Sequence, residues 1–225
     1  TLEFEQKFAE FHQARHGVAC TNGTAALEIV VAALGIGLGD EVIVPDFTFV
    51  ASASAILSTG AMPVFVDIDP GTYCIDPEKV EAAVTPRTKA VMAVHIAGHP
   101  SNLDRLQEIC RIHNLALIED SAHAHGSEWN GHKVGSIGTA GTFSFQASKL
   151  MTAGEGGMVI TNNEDLSVRI RSVHDCGRMP DQWFYSHYTY GSNYRLSEWQ
   201  GAVLIQQLSR LEEQTTIRNK NAAFL

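Results

Sequence analysis

The stretch TKAVMAVHIAGHPSNLDRLQEICRIHNLALIED, residues 88–120, decides the fold of this chain. It begins with an apolar run, residues 88–95, that predicts a buried strand. Residues 102–113 have the pattern of a helix, and residues 115–118 predict a second strand that ends in Glu119 and Asp120. Continuous apolar strands separated by helices are typical of a mostly parallel sheet that is covered on both faces.

Strands and helices alternate in the same way through the first 120 residues, and further strands and helices follow. Further helices are predicted for residues 2–14, 22–34, 47–58, 77–84, 164–173 and 196–218. Further strands are predicted for residues 41–44, 62–66, 134–145 (together with a turn) and 158–161. Residues 18–20 are interpreted as a short apolar link. We therefore expect one α/β domain over residues 1–225, a three-layer α/β/α sandwich around a mostly parallel, mixed sheet.

The composition fits such a domain and argues against several classes of function. The 225 residues are 44% hydrophobic and 18% charged, which is ordinary for a soluble α/β domain. The net charge of -9 argues against a nucleic-acid partner, because phosphates require a basic surface. We find no apolar run long enough to cross a bilayer and no secretion signal, so no membrane partner is expected.

Four widely spaced cysteines bear on the cellular compartment. Cys20, Cys74, Cys110 and Cys176 form no CxxC pair. We interpret them as reduced thiols, which predicts a cytoplasmic protein. Both ends of the sequence fall within helical patterns, so we also expect the chain to be part of a larger protein.

An isolated lysine lies in the stretch TFSFQASKLMTAGEGG, residues 142–157. The neighbours of Lys149 are small, apolar or hydroxyl-bearing, and no second cation is near it in sequence. This pattern indicates a partly desolvated amine, whose pKa burial would lower. Such an amine can attack a carbonyl group and form a Schiff base. The alternative interpretation is an ordinary loop lysine before a glycine turn.

Two further features point to the same ligand. The segment from Asn22 through Gly23 and Thr24 to Ala25 opens a predicted helix, and small residues at a helix N-terminus can hold a phosphate. Asp120 ends a strand, where ligands of parallel sheets are found. Taken alone, Thr24 could be a helix cap and Asp120 a strand-end cap. Together with a reactive lysine, they form the set that pyridoxal phosphate requires.

Seven segments then carry a specific resemblance that covers nearly the whole chain. They are NGTAAL (residues 22–27), GDEVIVPDFTFV (39–50), PVFVDID (63–69), IEDSAHAHG (118–126), FSFQASK (143–149), GEGG (154–157) and GSNYRLSE (191–198). In these segments and in their order the sequence resembles the DegT/StrS-type sugar aminotransferases, a branch of the fold-type I pyridoxal phosphate enzymes. The resemblance implies that residues 1–225 form the large, cofactor-binding domain, without the small C-terminal domain of the family.

The resemblance also implies a role for each matching residue. Lys149 would form the Schiff base and carry the proton, and Asp120 would pair with the pyridine nitrogen. His123 would contact the ring hydroxyl, and Phe49 would stack on the ring. The phosphate would be held by a set formed from Asn22, Gly23, Thr24, Ala25 and Ser144. Asn193 would reach the phosphate in a neighbouring subunit, which implies a homodimer with shared active sites.

Some positions depart from the common pattern of the family and leave the acceptor open. Ala147 and Ser148 precede the lysine and Leu150 follows it, where many relatives have other residues. Gln146 and residues 152–157 resemble relatives that act on cyclitol ketones or on an aminobenzoate precursor. The resemblance implies amino transfer from glutamate or glutamine to a keto sugar, with a nucleotide-linked sugar favoured over a cyclitol ketone.

Three alternatives compete with this interpretation. A metal hydrolase would use the histidine pairs His95 with His99 and His123 with His125, although the cofactor hypothesis already accounts for His123 and we expect no metal. A pyridoxal phosphate-dependent sugar dehydratase would have histidine in place of Lys149. A regulatory relative without catalysis would be expected to lose Lys149 or Asp120, and both are present.

Overall fold

A seven-stranded sheet forms the centre of the protein in this computed structural model, which describes residues 1–179, 182–183 and 185–224. The strands are β1 (His16–Cys20), β2 (Glu41–Pro45), β3 (Met62–Val66), β4 (Thr88–Val94), β5 (Ala116–Asp120), β6 (Glu128–Trp129), β7 (His132–Lys133), β8 (Ala140–Ser144) and β9 (Gly157–Thr161). The helices are α1 (Leu2–Phe11), α2 (Gly23–Ala33), α3 (Ala51–Leu57), α4 (Pro77–Ala83), α5 (Leu103–His113), α6 (Glu164–His174), α7 (Glu198–Leu208) and α8 (Leu211–Phe224).

The sheet is mostly parallel, as the sequence predicts. Its order is β1-β9-β8-β5-β4-β2-β3, and β6 and β7 form a separate hairpin. The pairs from β8 through β5, β4 and β2 to β3 are parallel, while β9 is antiparallel to both of its neighbours. In the pair of β4 with β5, Val94 lies opposite Asp120. The parallel strands therefore place their carboxyl ends, including Asp120, at one edge of the sheet.

Alternate strand residues divide the core between two helical layers, because successive side chains of a strand point to opposite faces. Val42 and Val44 pack into a cluster with α2, α3 and α6. Ile43 packs on the other face with α4 and α5, and α1 and α7 cover the end of that face beside β9. This confirms the three-layer α/β/α prediction. Within the described residues, no helix combines the length and the apolar character that crossing a membrane requires.

Two predictions about individual elements are wrong. Residues 18–20, interpreted as a link, belong to β1, which pairs with the distant strand β9. The single helix predicted for residues 196–218 is two helices, α7 and α8. Ser209 ends α7, and its hydroxyl donates to the carbonyl of Gln206, an alternative to the regular helical bonds. Leu211, at the start of α8, is buried in the core.

Two other elements differ in extent or were not anticipated. α3 begins at Ala51, whereas the sequence pattern placed a helix start at residue 47. The hairpin of β6 and β7 was not predicted, although Asn130 and Gly131 between its strands both have positive φ. An Asn-Gly pair with this geometry is a strong sequence signal for a tight hairpin turn, so the hairpin could have been found.

Candidate active site

A cavity of about 830 Å³ opens at the carboxyl ends of β4, β5 and β8. Nine of the ten residues predicted to hold the cofactor line it, namely Asn22, Gly23, Thr24, Ala25, Phe49, Asp120, His123, Ser144 and Lys149. These residues come from separate parts of the chain, and parallel strands bring them together.

The start of α2 forms one end of the cavity. Asn22 is the N-cap, and its Oδ1 accepts a hydrogen bond of 2.8 Å from the amide of Ala25. Gly23 lies against Ser144, because a Cβ at position 23 would come within 2.7 Å of the Ser144 Cβ. Glycine at this position therefore lets the first turn of α2 approach the end of β8. The helix dipole and the small residues of this turn make it suitable for a phosphate.

Asp120 is held at both carboxylate oxygens. Its side chain is almost fully buried at the end of β5. The hydroxyl of Ser52 donates to Oδ2 at 2.8 Å, and the amide of Ala122 donates to Oδ1 at 3.2 Å. Sequence analysis missed Ser52, and no local signal separates it from the other serines of the same helix.

Lys149 lies half-buried in the cavity near Asp120. Burial lowers the pKa of the Lys149 amine, and the negative charge of Asp120 opposes this shift. The loop before it is ordered by Gln146, whose Oε1 accepts hydrogen bonds from the amide (2.8 Å) and hydroxyl (2.6 Å) of Ser148. The predicted desolvation of the lysine is therefore present in the structure, and Gln146 is a supporting residue that the sequence did not identify.

His123 enters the cavity as a neutral hydrogen-bond donor. The amide of Ala97 donates to its Nδ1 at 3.2 Å. Because Nδ1 accepts, the proton of the neutral ring lies on Nε2. Burial, and then the charge of Lys149, lowers the pKa of His123, while Asp120 opposes the shift. The ring can thus donate to an oxygen atom at neutral pH.

Asn193 and Phe49 are two predicted residues whose side chains are exposed in their own chain. Asn193 does not line the cavity of its own chain. It is exposed, forms a bridge with Asp175, and its Oδ1 accepts a 3.4 Å bond from the amide of Arg195. Phe49 lines the cavity, but 68% of it remains exposed.

Glu28 and Tyr194 also line the cavity and were missed by sequence analysis. Burial, followed by the negative charge of Glu28 and a hydrogen bond to it, raises the pKa of Tyr194 to about 12. The phenol is therefore neutral at physiological pH. Tyr194 is adjacent in sequence to Asn193, so its motif was recognised although its position in the cavity was not.

The histidines of the metal alternative do not converge. His95 is fully buried, and its Nε2 lies 3.0 Å from Glu119 Oε2. His125 is also buried, and its ring packs between Phe143 and Phe145. In the described part of the chain, no group of three or more histidine, cysteine, aspartate or glutamate residues is arranged to hold a metal ion.

Replacing His125 by phenylalanine should reduce the loss of stability in mild acid. Burial lowers the pKa of His125 from 6.5 to about 3, so between these values the unfolded chain binds a proton that the folded chain does not. The free energy of unfolding therefore decreases as the pH is lowered through this range. This group accounts for about 2 kcal/mol of the decrease between pH 7 and pH 5. Urea unfolding at both pH values measures the difference.

The structure offers a matched control for this substitution. His125 makes no hydrogen bond of normal geometry, so phenylalanine loses none. His113→Phe, at the exposed end of α5, should keep the pH dependence of the wild type. Part of that dependence should remain in His125→Phe, because burial also lowers the pKa of His12 to about 3. Equal losses in wild type and His125→Phe would contradict the assignment.

These features define an α/β protein whose cavity suits a phosphorylated carbonyl compound, with a lysine, a carboxylate and a helix N-terminus around it. The model of the DegT/DnrJ/EryC1/StrS aminotransferase family matches residues 1–225. The chain therefore belongs to this family, which confirms the resemblance found in the sequence.

Individual relatives agree with this assignment. The chain is 44% identical over 219 residues to GDP-perosamine synthase from Caulobacter vibrioides, covering 97% of this chain and 59% of that protein. It is 46% identical over 231 residues to L-glutamine:2-deoxy-scyllo-inosose aminotransferase from Streptoalloteichus tenebrarius, covering 99% of this chain and 54% of that protein. The crystal structure of 3-amino-5-hydroxybenzoic acid synthase is similar with a TM-score of 0.94 and 47% identity, over 97% of this chain and 58% of that chain. The chain thus spans little more than half the length of these relatives.

Proposed function

We propose that this chain is the cofactor-binding part of a pyridoxal phosphate-dependent aminotransferase, which moves an amino group from glutamate or glutamine to a keto sugar. The main support for the proposal is that Lys149, Asp120 and the N-terminus of α2 all line one cavity. These groups match the aldehyde, the ring nitrogen and the phosphate of pyridoxal phosphate. Membership of an aminotransferase family supports the same reaction class.

The chain's own residues suit this cofactor in shape and charge. Glycine at position 23 lets the first turn of α2 lie directly against Ser144, so both parts of the proposed phosphate site are adjacent. Asp120 places a negative charge where it would favour a positively charged ring nitrogen. His123 would donate a hydrogen bond from Nε2 to the ring oxygen, and Phe49 would stack against one face of the ring.

When bound, pyridoxal phosphate supplies an aldehyde that accepts an amine and a ring that takes up an electron pair. Lys149 performs the chemistry that the protein itself must supply. Its lowered pKa increases the fraction of unprotonated amine at neutral pH, so Nζ would be available to condense with the aldehyde, whose oxygen would leave as water. Lys149 Nζ would also be the group that accepts and returns the proton at the substrate carbon.

The acceptor is a keto sugar, and we propose a nucleotide-linked one. The similarity to GDP-perosamine synthase supports this choice. A cyclitol ketone is the second candidate, supported by the similarity to the scyllo-inosose aminotransferase and by the charge of the cavity. Among the described residues of its lining, Lys149 is the only lysine or arginine, and Asp120, Glu28 and Glu155 are also present. A diphosphate would therefore need cations from outside this lining.

A second copy of the chain would complete the site. Phe49 is largely exposed although it borders the cavity, and Asn193 is exposed outside it. Both observations support a homodimer in which the partner covers the cavity opening. Asn193 would then contribute to the neighbouring phosphate site.

The proposed function can be tested with the complete protein. Pyridoxal phosphate should bind with a visible absorption band, and L-glutamine or L-glutamate alone should bleach it, because the donor half-reaction needs no acceptor. A nucleotide-linked keto sugar and a cyclitol ketone are then compared as acceptors, with the aminated product identified by mass spectrometry. No bound cofactor, or no amino transfer from either donor, would refute the proposal.

A further inference from the structure

The hydroxyl groups of Thr48 and Ser52 form a hydrogen-bonded line that ends on Asp120. Ser52 Oγ lies 2.8 Å from Asp120 Oδ2, and Thr48 Oγ1 lies 2.8 Å from Ser52 Oγ. Ser52 is fully buried in the first turn of α3, so water does not compete for its hydroxyl. The three side chains therefore form a continuous hydrogen-bonded line that ends on the carboxylate.

The direction of the hydrogen bonds in this line follows from proton counting. A serine hydroxyl has one hydrogen, and an ionised carboxylate can only accept. Since Ser52 donates to Asp120, Thr48 must donate to Ser52. Both O–H dipoles then point toward Asp120, and aligned hydrogen bonds of this kind strengthen one another.

Thr48 links this support to the wall of the cavity. It lines the cavity next to Phe49, and the carbonyl of Phe49 accepts a 3.1 Å hydrogen bond from the amide of Ser52. The segment that would stack on the cofactor ring is thus tied to the residue that orients the carboxylate. The charge of Asp120 acts on Lys149 and His123, because it opposes the lowering of both pKa values by burial.

We infer that Ser52, assisted by Thr48, is a positioning residue that holds the Asp120 carboxylate aimed at the ring nitrogen of pyridoxal phosphate. This inference rests on the proposed function. The Ala122 amide fixes Oδ1, the Ser52 hydroxyl fixes Oδ2, and the carboxylate keeps its remaining lone pairs for the cavity.

The affinity of the complete apoprotein for pyridoxal phosphate tests the role of Ser52. Ser52→Ala should weaken binding about 10-fold or more, the expected effect of losing a hydrogen bond to a charged group. A purely structural serine would change the melting temperature of the apoprotein without weakening the binding of pyridoxal phosphate.

Companion variants keep the test decisive. Ser52→Cys retains the shape but offers a weaker donor, and Thr48→Val removes only the outer hydroxyl, so both should weaken binding less than Ser52→Ala. These two variants decide the matter if Ser52→Ala does not fold. The control is Ser58→Ala, because the Ser58 hydroxyl donates to the carbonyl of Ala55 and is not part of this line.

The outcomes separate this inference from the proposed function. Wild-type binding of pyridoxal phosphate reports on the function, and the ratio of variant to wild-type affinity reports on Ser52. Variants at Ser52 and Thr48 that bind pyridoxal phosphate as tightly as Ser58→Ala would overturn the inference alone. A wild-type protein that binds no pyridoxal phosphate would overturn both.

Discussion

Lys149→Ala should abolish amino transfer, lowering kcat by about 10⁴-fold or more. The substitution removes the only lysine or arginine among the described residues of the cavity, which is also the group proposed to carry the proton. Acid–base catalysis alone contributes up to about 10⁴-fold. The variant should still bind pyridoxal phosphate through the N-terminus of α2 and Asp120, but without a covalent bond to the protein. Borohydride treatment followed by mass spectrometry should therefore label the wild type and leave Lys149→Ala unlabelled.

Two controls separate nucleophilicity from charge. Lys149→Arg keeps a cation that does not lose its proton, so it should be as inactive as Lys149→Ala. Lys89→Ala removes a half-exposed lysine that lies 4.0 Å from Asp40, and it should retain full activity. Turnover of Lys149→Ala within 10-fold of the wild type would exclude the proposed role.

Mixing two inactive variants tests whether Asn193 acts across a dimer. A mixed dimer of Lys149→Ala with Asn193→Ala has one site in which Lys149 and the partner's Asn193 are both present. After subunit exchange, activity should rise to about a quarter of the wild-type value, because half of the dimers are mixed and each has one intact site. No recovery would mean that Asn193 acts within its own chain, and an Asn193→Ala variant that is active by itself would mean that Asn193 has no role in the site.

Glu119→Ala should destabilise the folded protein by about 3–5 kcal/mol, the usual range for a broken buried charge network. Glu119 is completely buried. Its oxygens accept from the amides of Gly135 (2.7 Å), Ile137 (2.9 Å) and Gly138 (2.5 Å), and Oε2 also contacts His95 Nε2 at 3.0 Å. Alanine would leave all four donors without this acceptor, each at an energetic cost.

Urea unfolding of the apoprotein measures this effect. Glu119→Gln keeps the volume and one acceptor oxygen, so its loss of stability should lie between wild type and Glu119→Ala. Glu108→Ala is the matched control, because Glu108 is an exposed carboxylate that pairs with Arg105 at 2.8 Å. Such surface pairs contribute about 0–1 kcal/mol. Similar losses in Glu119→Ala and Glu108→Ala would contradict the predicted role of Glu119.

Sequence periodicity was sufficient for most of the fold. The run from β4 through α5 to β5 was predicted within one or two residues at each boundary, because its apolar pattern and the pattern of the buried core coincide. β1 was missed for a physical reason. It is a short apolar segment, and only its pairing with β9 makes it a strand. The break between α7 and α8 is another tertiary effect, since neither proline nor glycine interrupts the sequence at that point.

The site was predictable where its chemistry depends on local sequence. The helix start at residues 22–25 and the strand-end position of Asp120 follow from neighbouring residues, and the motif around Lys149 indicates the proposed nucleophile. Ser52 was not predictable, because its contact with Asp120 joins residues 68 positions apart. Its side chain differs from that of Ser58 only in the direction that the fold gives it.

The sequence by itself therefore determined the layered α/β architecture, the family and the reactive groups, since strand and helix periods, caps and motifs are properties of adjacent residues. Tertiary structure alone decided which groups face one another. It set the burial that lowers the pKa of Lys149, the hydroxyl line behind Asp120, the tautomer of His123 and the position of Asn193 outside its own cavity. These depend on distances and solvent exposure that exist only after distant strands have paired.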